Sequence, residues 1–184
     1  MRKLIVVGGI VIAVIALFYA GMRFYTKSFS PQDTATFAGD KVKISVTYSR
    51  PYKKGREVFG DLVPFDKVWR TGANESTIFT TDRDLMIGNK LLEAGSYSLF
   101  TIPRPDNWTV IFNKETGQWG IAPLSGEANR DPERDALTVD VPAIQIPDLF
   151  KQFTISFEEM GEEIEMILMW DHTLIVVPMF IAKN

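Results

Sequence analysis

The groups in this 184-residue chain that could move a proton or hold a ligand are few, and their spacing limits what they can do. There is no cysteine and a single histidine, His172. Thiol catalysis, disulfides and cysteine-based zinc sites are excluded because the ligand atom is absent. Asp171-His172 supplies two members of a catalytic set, but a triad is recognised by geometry that adjacent residues rarely provide. Between two apolar runs, Asp171-His172-Thr173 reads instead as a hairpin turn. Glu158, Glu159, Glu162 and Glu163 surround Gly161 and read as a solvated charge run. Glycoside hydrolysis would need two carboxylates facing each other from separate elements. Asp131, Glu133 and Asp135 alternate around Pro132 without the glycine and terminal glutamate of a calcium loop. Neither a metal site nor a cofactor is expected. Glu75 follows an arginine-bearing turn and is, with His172, the candidate for a hydrolase, but no partner for it can be named.

The sequence richest in binding chemistry is Tyr48–Arg56 together with Trp69–Glu75. Arg50, Arg56 and Arg70, two lysines, three aromatic rings including Trp69, the amide of Asn74 and the carboxylate of Glu75 fall in glycine-punctuated, irregular sequence. Loops of this kind on a sheet scaffold carry binding function. Arginine recognises carboxylate and phosphate in a bidentate manner, and tryptophan offers a flat stacking face. With Trp119 added, these seven residues form the expected ligand-binding set. A structural clamp is the competing reading: Arg70 and Glu75 satisfy each other and nearby carbonyls, while Trp69 plugs one end of the core.

Charge is unevenly placed. Residues 1–27 carry four bases and no acid, whereas the rest holds 16 bases against 23 acids. An acidic body argues against nonspecific nucleic-acid binding, which depends on neutralising phosphates. Within it, residues 41–70 are basic, with eight bases against three acids, which favours an anionic small molecule or an acidic partner surface.

The elements that must position these residues are strands. No segment after residue 28 sustains an apolar period of 3.6 over helical length. Alternation recurs at 34–37, 42–48, 77–81, 85–87, 91–92, 96–102, 108–112, 136–141, 152–157, 163–170 and 174–180. The spacing predicts a mainly β, antiparallel, jelly-roll-like sandwich of nine or ten strands. Residues 64–69 suggest a short helical turn, and 123–135 a long polar loop. Val42, Ile44, Val46 and Tyr48 share one strand face, and Phe153, Ile155 and Phe157 another, so both faces are assigned to the core. The last two runs are apolar almost throughout, as strands covered on both faces are. A partner or membrane would supply that cover in one reading, the chain's own loops in the other.

Ahead of the sandwich, Leu4 to Met22 is 19 residues without a charge. At ~1.5 Å per residue it spans about 28 Å, close to the ~30 Å hydrocarbon core. Phe18, Tyr19, Phe24 and Tyr25 sit where an aromatic belt would lie, with Arg23 and Lys27 placed to snorkel. The bulky Phe18-Tyr19-Ala20 exit is a poor cleavage site, so residues 1–27 are expected to remain as an anchor and 28–184 to form the domain. The short basic N-terminal flank favours an internal amino terminus and a translocated body.

YSRPYKKGR, VWRTGANE and AGSYSLFTIP, followed by WTVIFNKETGQWG, closely resemble a bacterial exported family of unknown function. The resemblance covers about residues 30–180. It implies an exported β-rich domain and supplies no site residues. The expectation is a single-pass protein of the bacterial inner membrane with its C-terminal domain in the periplasm. It would act as a binding domain, an accessory subunit of a larger envelope complex. The alternative is a binder of carbohydrate or an anionic ligand through the seven residues above; a hydrolase stands third.

Overall fold

The computed structural model of the chain describes residues 2–122 and 125–183. The side chains of residues 2–6 and Phe24 lie outside that description, as do Pro123 and Leu124 of the predicted polar loop. The charge-free stretch forms the first three quarters of one helix, α1 (Arg2–Phe29), long and apolar enough to cross a membrane. From Val7 to Met22 its side chains are exposed, with Leu17 and Phe18 each 73% exposed. In water that arrangement is unfavourable; in hydrocarbon it is the ordinary one.

The rest is β-sheet. After the helix come β1 (Gln32–Ala38), β2 (Lys43–Ser49), β3 (Thr77–Thr81), β4 (Leu85–Ile87) and β5 (Lys90–Leu92). They are followed by β6 (Gly95–Pro103), β7 (Asn107–Asn113), β8 (Asp135–Met160) and β9 (Glu163–Ile181). All pairings are antiparallel, in the order β1-β2-β3-β6-β7-β8-β9-β4-β5. Residues 64–69 form turns rather than the expected helical turn.

The sheet folds over on itself around one core. Ile44, Val46 and Tyr48 of β2 and Phe153 and Ile155 of β8 are buried in the same cluster, as their alternation predicts. Tyr48 and Phe153 meet edge to face at 5.6 Å, and Phe37 reaches Phe157 at 6.4 Å. The two layers are also joined by hydrogen bonds. The Tyr48 hydroxyl accepts from Ile155 N at 2.8 Å and donates to Ile155 O at 3.3 Å. Pro51 O accepts from Phe153 N, and Lys53 N donates to Lys151 O, so the chain beyond β2 runs along the free edge of β8 and satisfies it.

The turn expected at 171–173 is absent, and two pairs of predicted strands are fused. Residues 136–141 and 152–157 belong to the 26-residue β8, and 163–170 and 174–180 to the 19-residue β9. Asp171-His172 is not a hairpin turn but a kink inside β9, with Asp171 at φ 58°. The β8–β9 register breaks opposite it, between Gln145 and Phe150 and again before Thr154. A short polar residue that tolerates the left-handed region serves a kink as well as a turn, so the sequence signal is the same. The doubly apolar character of β9 reflects its central place between β8 and β4. Its inner residues are buried, whereas Met169, Leu174, Val176 and Pro178 on the other face are half-buried and Phe180 is exposed.

Candidate functional site

The irregular chain between β2 and β3 is pinned by its own polar groups. Trp69 and Thr101 of β6 exchange both backbone hydrogen bonds, at 2.7 and 2.9 Å. Thr71 Oγ1 donates to Thr101 Oγ1 at 3.1 Å, and Thr77 Oγ1 donates to Thr71 O at 2.7 Å. Thr71 (φ 52°) and Asn74 (φ 59°) both lie in the left-handed region, where a β-branched residue is rare. Between them Gly72 sits at φ 152°, and a Cβ there would come 2.9 Å from Ser49 O, so only glycine fits. Strain of this kind persists where the surroundings over-determine it, and it is concentrated at functional loops.

The seven expected ligand residues divide. Arg50 is fully engaged: it pairs with Asp33 at 2.8 Å and donates to Thr154 Oγ1 and to Phe153 O. Arg56 donates to the carbonyls of Tyr52 and Lys53 and fastens its own turn. Trp69 lies among Phe59, Trp108, Phe153 and Trp170, stacked on Trp170 at 5.9 Å, and its Nε1 donates to Gly72 O. These three are engaged by the domain's own groups.

The remaining four are brought together where the 70–75 loop meets residues 118–120. Glu75 and Trp119 form a backbone bridge, and Gly120 N donates to Asn74 O at 3.2 Å. The end of α1 settles on this surface. Glu75 Oε1 receives Arg23 at 2.6 Å and Lys27 at 2.8 Å, and the Arg23 guanidinium lies 4.8 Å over the Trp119 ring. Asn74 Nδ2 donates to Ser30 O, just past the helix. Burial alone would raise the Glu75 carboxyl, but Lys27, its own backbone N–H and Arg23 outweigh that and hold it below the ordinary carboxylate range. The expected Arg70–Glu75 pair does not form, because the helix supplies both of the carboxylate's cations.

Arg70 is left over. Its side chain crosses Gly120, where any Cβ would overlap it. Its Nε is buried and meets no acceptor among the described residues. Burial pushes the guanidinium pKa down, with no neighbouring charge to offset it.

A second place lies at the β8–β9 kink, around the Asp171-His172 pair that the sequence offered as a turn and as a hydrolase candidate. An open cleft of about 240 Å³ is bordered there by Glu57, Arg104, Gln145, Asp171 and His172, with Phe59, Phe65 and Trp108 on its apolar side. Asp171 is ion-paired with Lys53, and its Oδ1 lies 3.9 Å from His172 Nε2. The one signal in sequence was the polar pair 171–172 inside an apolar run. Among the described residues no group of three acids or histidines is placed to hold a metal. Asp131 instead caps the 3-10 turn Pro132–Arg134, and Asp135 pairs with Arg130.

A family model described as a protein of unknown function (DUF2911) matches residues 30–179. The chain belongs to that family. No curated protein and no solved structure matches it.

Proposed function

We propose that this DUF2911 chain is a single-pass, membrane-anchored binding domain standing outside the cytoplasm, and that it serves as an accessory subunit of an envelope membrane assembly. The observation that carries this reading is the joint between anchor and domain. Only Ser30 and Pro31 separate α1 from β1, and Glu75 takes both basic residues of the helix's last two turns. A tether that merely retained a domain at a membrane would need no such fastening. A fixed attitude lowers the entropy lost when the domain meets a partner in the same bilayer. The amino terminus would lie in the cytoplasm and the body in the periplasm of a bacterial inner membrane.

Fractionation with alkaline extraction, followed by intact mass, tests the anchor. The expected result is an integral membrane protein retaining its first 22 residues. A soluble domain trimmed of them would overturn the reading. Mild-detergent purification is expected to co-isolate a stoichiometric membrane partner, and recovery as a lone monomer would count against the subunit role.

Arg70 favours a second reading, in which the domain takes a carboxylate- or phosphate-bearing small molecule. An unsatisfied buried donor costs about 1–3 kcal/mol, and an anion would supply the missing acceptor. Citrate or inorganic phosphate is then expected to raise the unfolding temperature of the wild type and not that of Arg70→Met. An equal effect on both would remove the site.

A further inference from the structure

The cleft at the β8–β9 kink has a composition that neither the anchor nor Arg70 explains. In a regular strand, consecutive side chains point to opposite faces. The left-handed Asp171 breaks that rule, so that Asp171 and His172 both border the same cleft. Kinks and bulges that re-aim a side chain are over-represented beside active and binding sites.

The hydrogen-bonding capacity left unused around this cleft is of both kinds, acceptors on Gln145, His172 and Glu57 and donors on Arg104. Gln145 Nε2 donates to Thr173 Oγ1 at 3.2 Å, which leaves the amide oxygen free to accept. His172 Nδ1 lies 3.2 Å from Ile146 O, and a carbonyl can only accept. With its proton on Nδ1 for this carbonyl, the uncharged form of the ring has Nε2 as an acceptor, 3.9 Å from Asp171 Oδ1. Glu57 is exposed and has no ion pair among the described residues. The charges of the nearby cations are paired, Arg104 with Asp66 at 2.7 Å and Lys53 with Asp171, while Arg104, which also donates to Thr109 Oγ1, keeps further N–H groups to donate.

A ligand for such a cleft brings donors and acceptors at its rim and an apolar face for Phe59 and Phe65. A free anion meets the Glu57 carboxylate, and a full cation meets Arg104 and Lys53. A neutral polyol ring meets all the requirements, with hydroxyls that both donate and accept and C–H faces for the aromatic side. At about 240 Å³ the cleft falls below the ~300–1,000 Å³ of sites for drug-sized ligands, which suits one ring rather than a chain. We propose that this cleft binds a single ring of a neutral saccharide.

The test uses the full chain in a sugar-free zwitterionic detergent. Methyl glycosides of the gluco, galacto, manno and N-acetylglucosamine series are titrated by calorimetry and by saturation-transfer NMR, with choline and inorganic phosphate as cationic and anionic probes. At least one glycoside is expected to bind. Glu57→Gln and His172→Ala should each weaken it tenfold or more, as loss of a charge-assisted or buried polar contact does. Arg70→Met should leave it unchanged, so failure here and failure of the anionic reading are distinguishable. Both variants alter exposed side chains, and an unchanged unfolding midpoint confirms that they fold. The proposal is overturned if no glycoside in the panel binds or if binding is insensitive to both substitutions. It is equally overturned if choline or phosphate occupies the cleft in their place.

Discussion

Arg70 and Trp69 are neighbours in sequence with opposite fates, and each makes a prediction. Trp69 turns inward against four rings, so Trp69→Ala should lose about 3–5 kcal/mol of stability, the cost of emptying a large aromatic site. Arg70 turns toward Gly120 with a buried Nε that no acceptor meets among the described residues. Methionine keeps the stem and removes the guanidinium. In anion-free buffer Arg70→Met should therefore be more stable, by about 1 kcal/mol in urea titration, because an unsatisfied buried donor is destabilising by that order. A loss of stability would show that the guanidinium is satisfied in solution. Composition marked both residues as noteworthy but could not separate them. Arginine beside tryptophan in a loop reads the same whether the ring stacks on a ligand or packs among two tryptophans and two phenylalanines.

At the scale of elements, the kink in β9 and the seat of α1 are each held by one carboxylate. Asp171 combines a left-handed backbone with a salt bridge to Lys53. Asp171→Asn keeps a residue that tolerates this conformation, whereas Asp171→Val adds roughly 1–2 kcal/mol of backbone strain. Valine should accordingly unfold at lower denaturant than asparagine, and equal midpoints would show that the charge alone matters. Glu75 holds the helix end, and its lowered pKa fixes the direction of the pH effect. The contact contributes fully above the ordinary carboxylate range and fades as pH falls through the depressed value. Glu75→Gln should raise amide exchange in residues 23–31 at neutral pH while leaving β6 and β7 protected. Alternation disclosed nearly every strand, because most of them bury one face and β1 half-buries Ala35 and Phe37. It did not disclose where β8 and β9 continue through their bends, since a kink and a turn recruit the same residues.

For the molecule as a whole, the core faces were legible and the closure was not. The residues of β2 and β8 that meet across the core are those their alternation selected, yet nothing local indicated that a tyrosine hydroxyl would serve as a strand partner. Tyr48→Phe leaves the ring in place and strips Ile155 of both hydrogen bonds. A loss of about 1–3 kcal/mol in urea unfolding is expected, since a buried backbone N–H and C=O are left without the partner they had. Similarly, the apolar helix was plain from composition, whereas its docking on Glu75 and Trp119 depends on contacts 44 or more residues apart. The same residues had been read as a ligand set because paired charges and rings serve either purpose.

The short joint at Ser30-Pro31 has a mechanical corollary. With Glu75 taking two cations of the rod and Asn74 holding the carbonyl at its exit, tilt or rotation of the rod is resisted at the hinge. Were the rod seated in a bilayer, the attitude of the domain to the lipid surface would be set by the same few residues that fasten the two together.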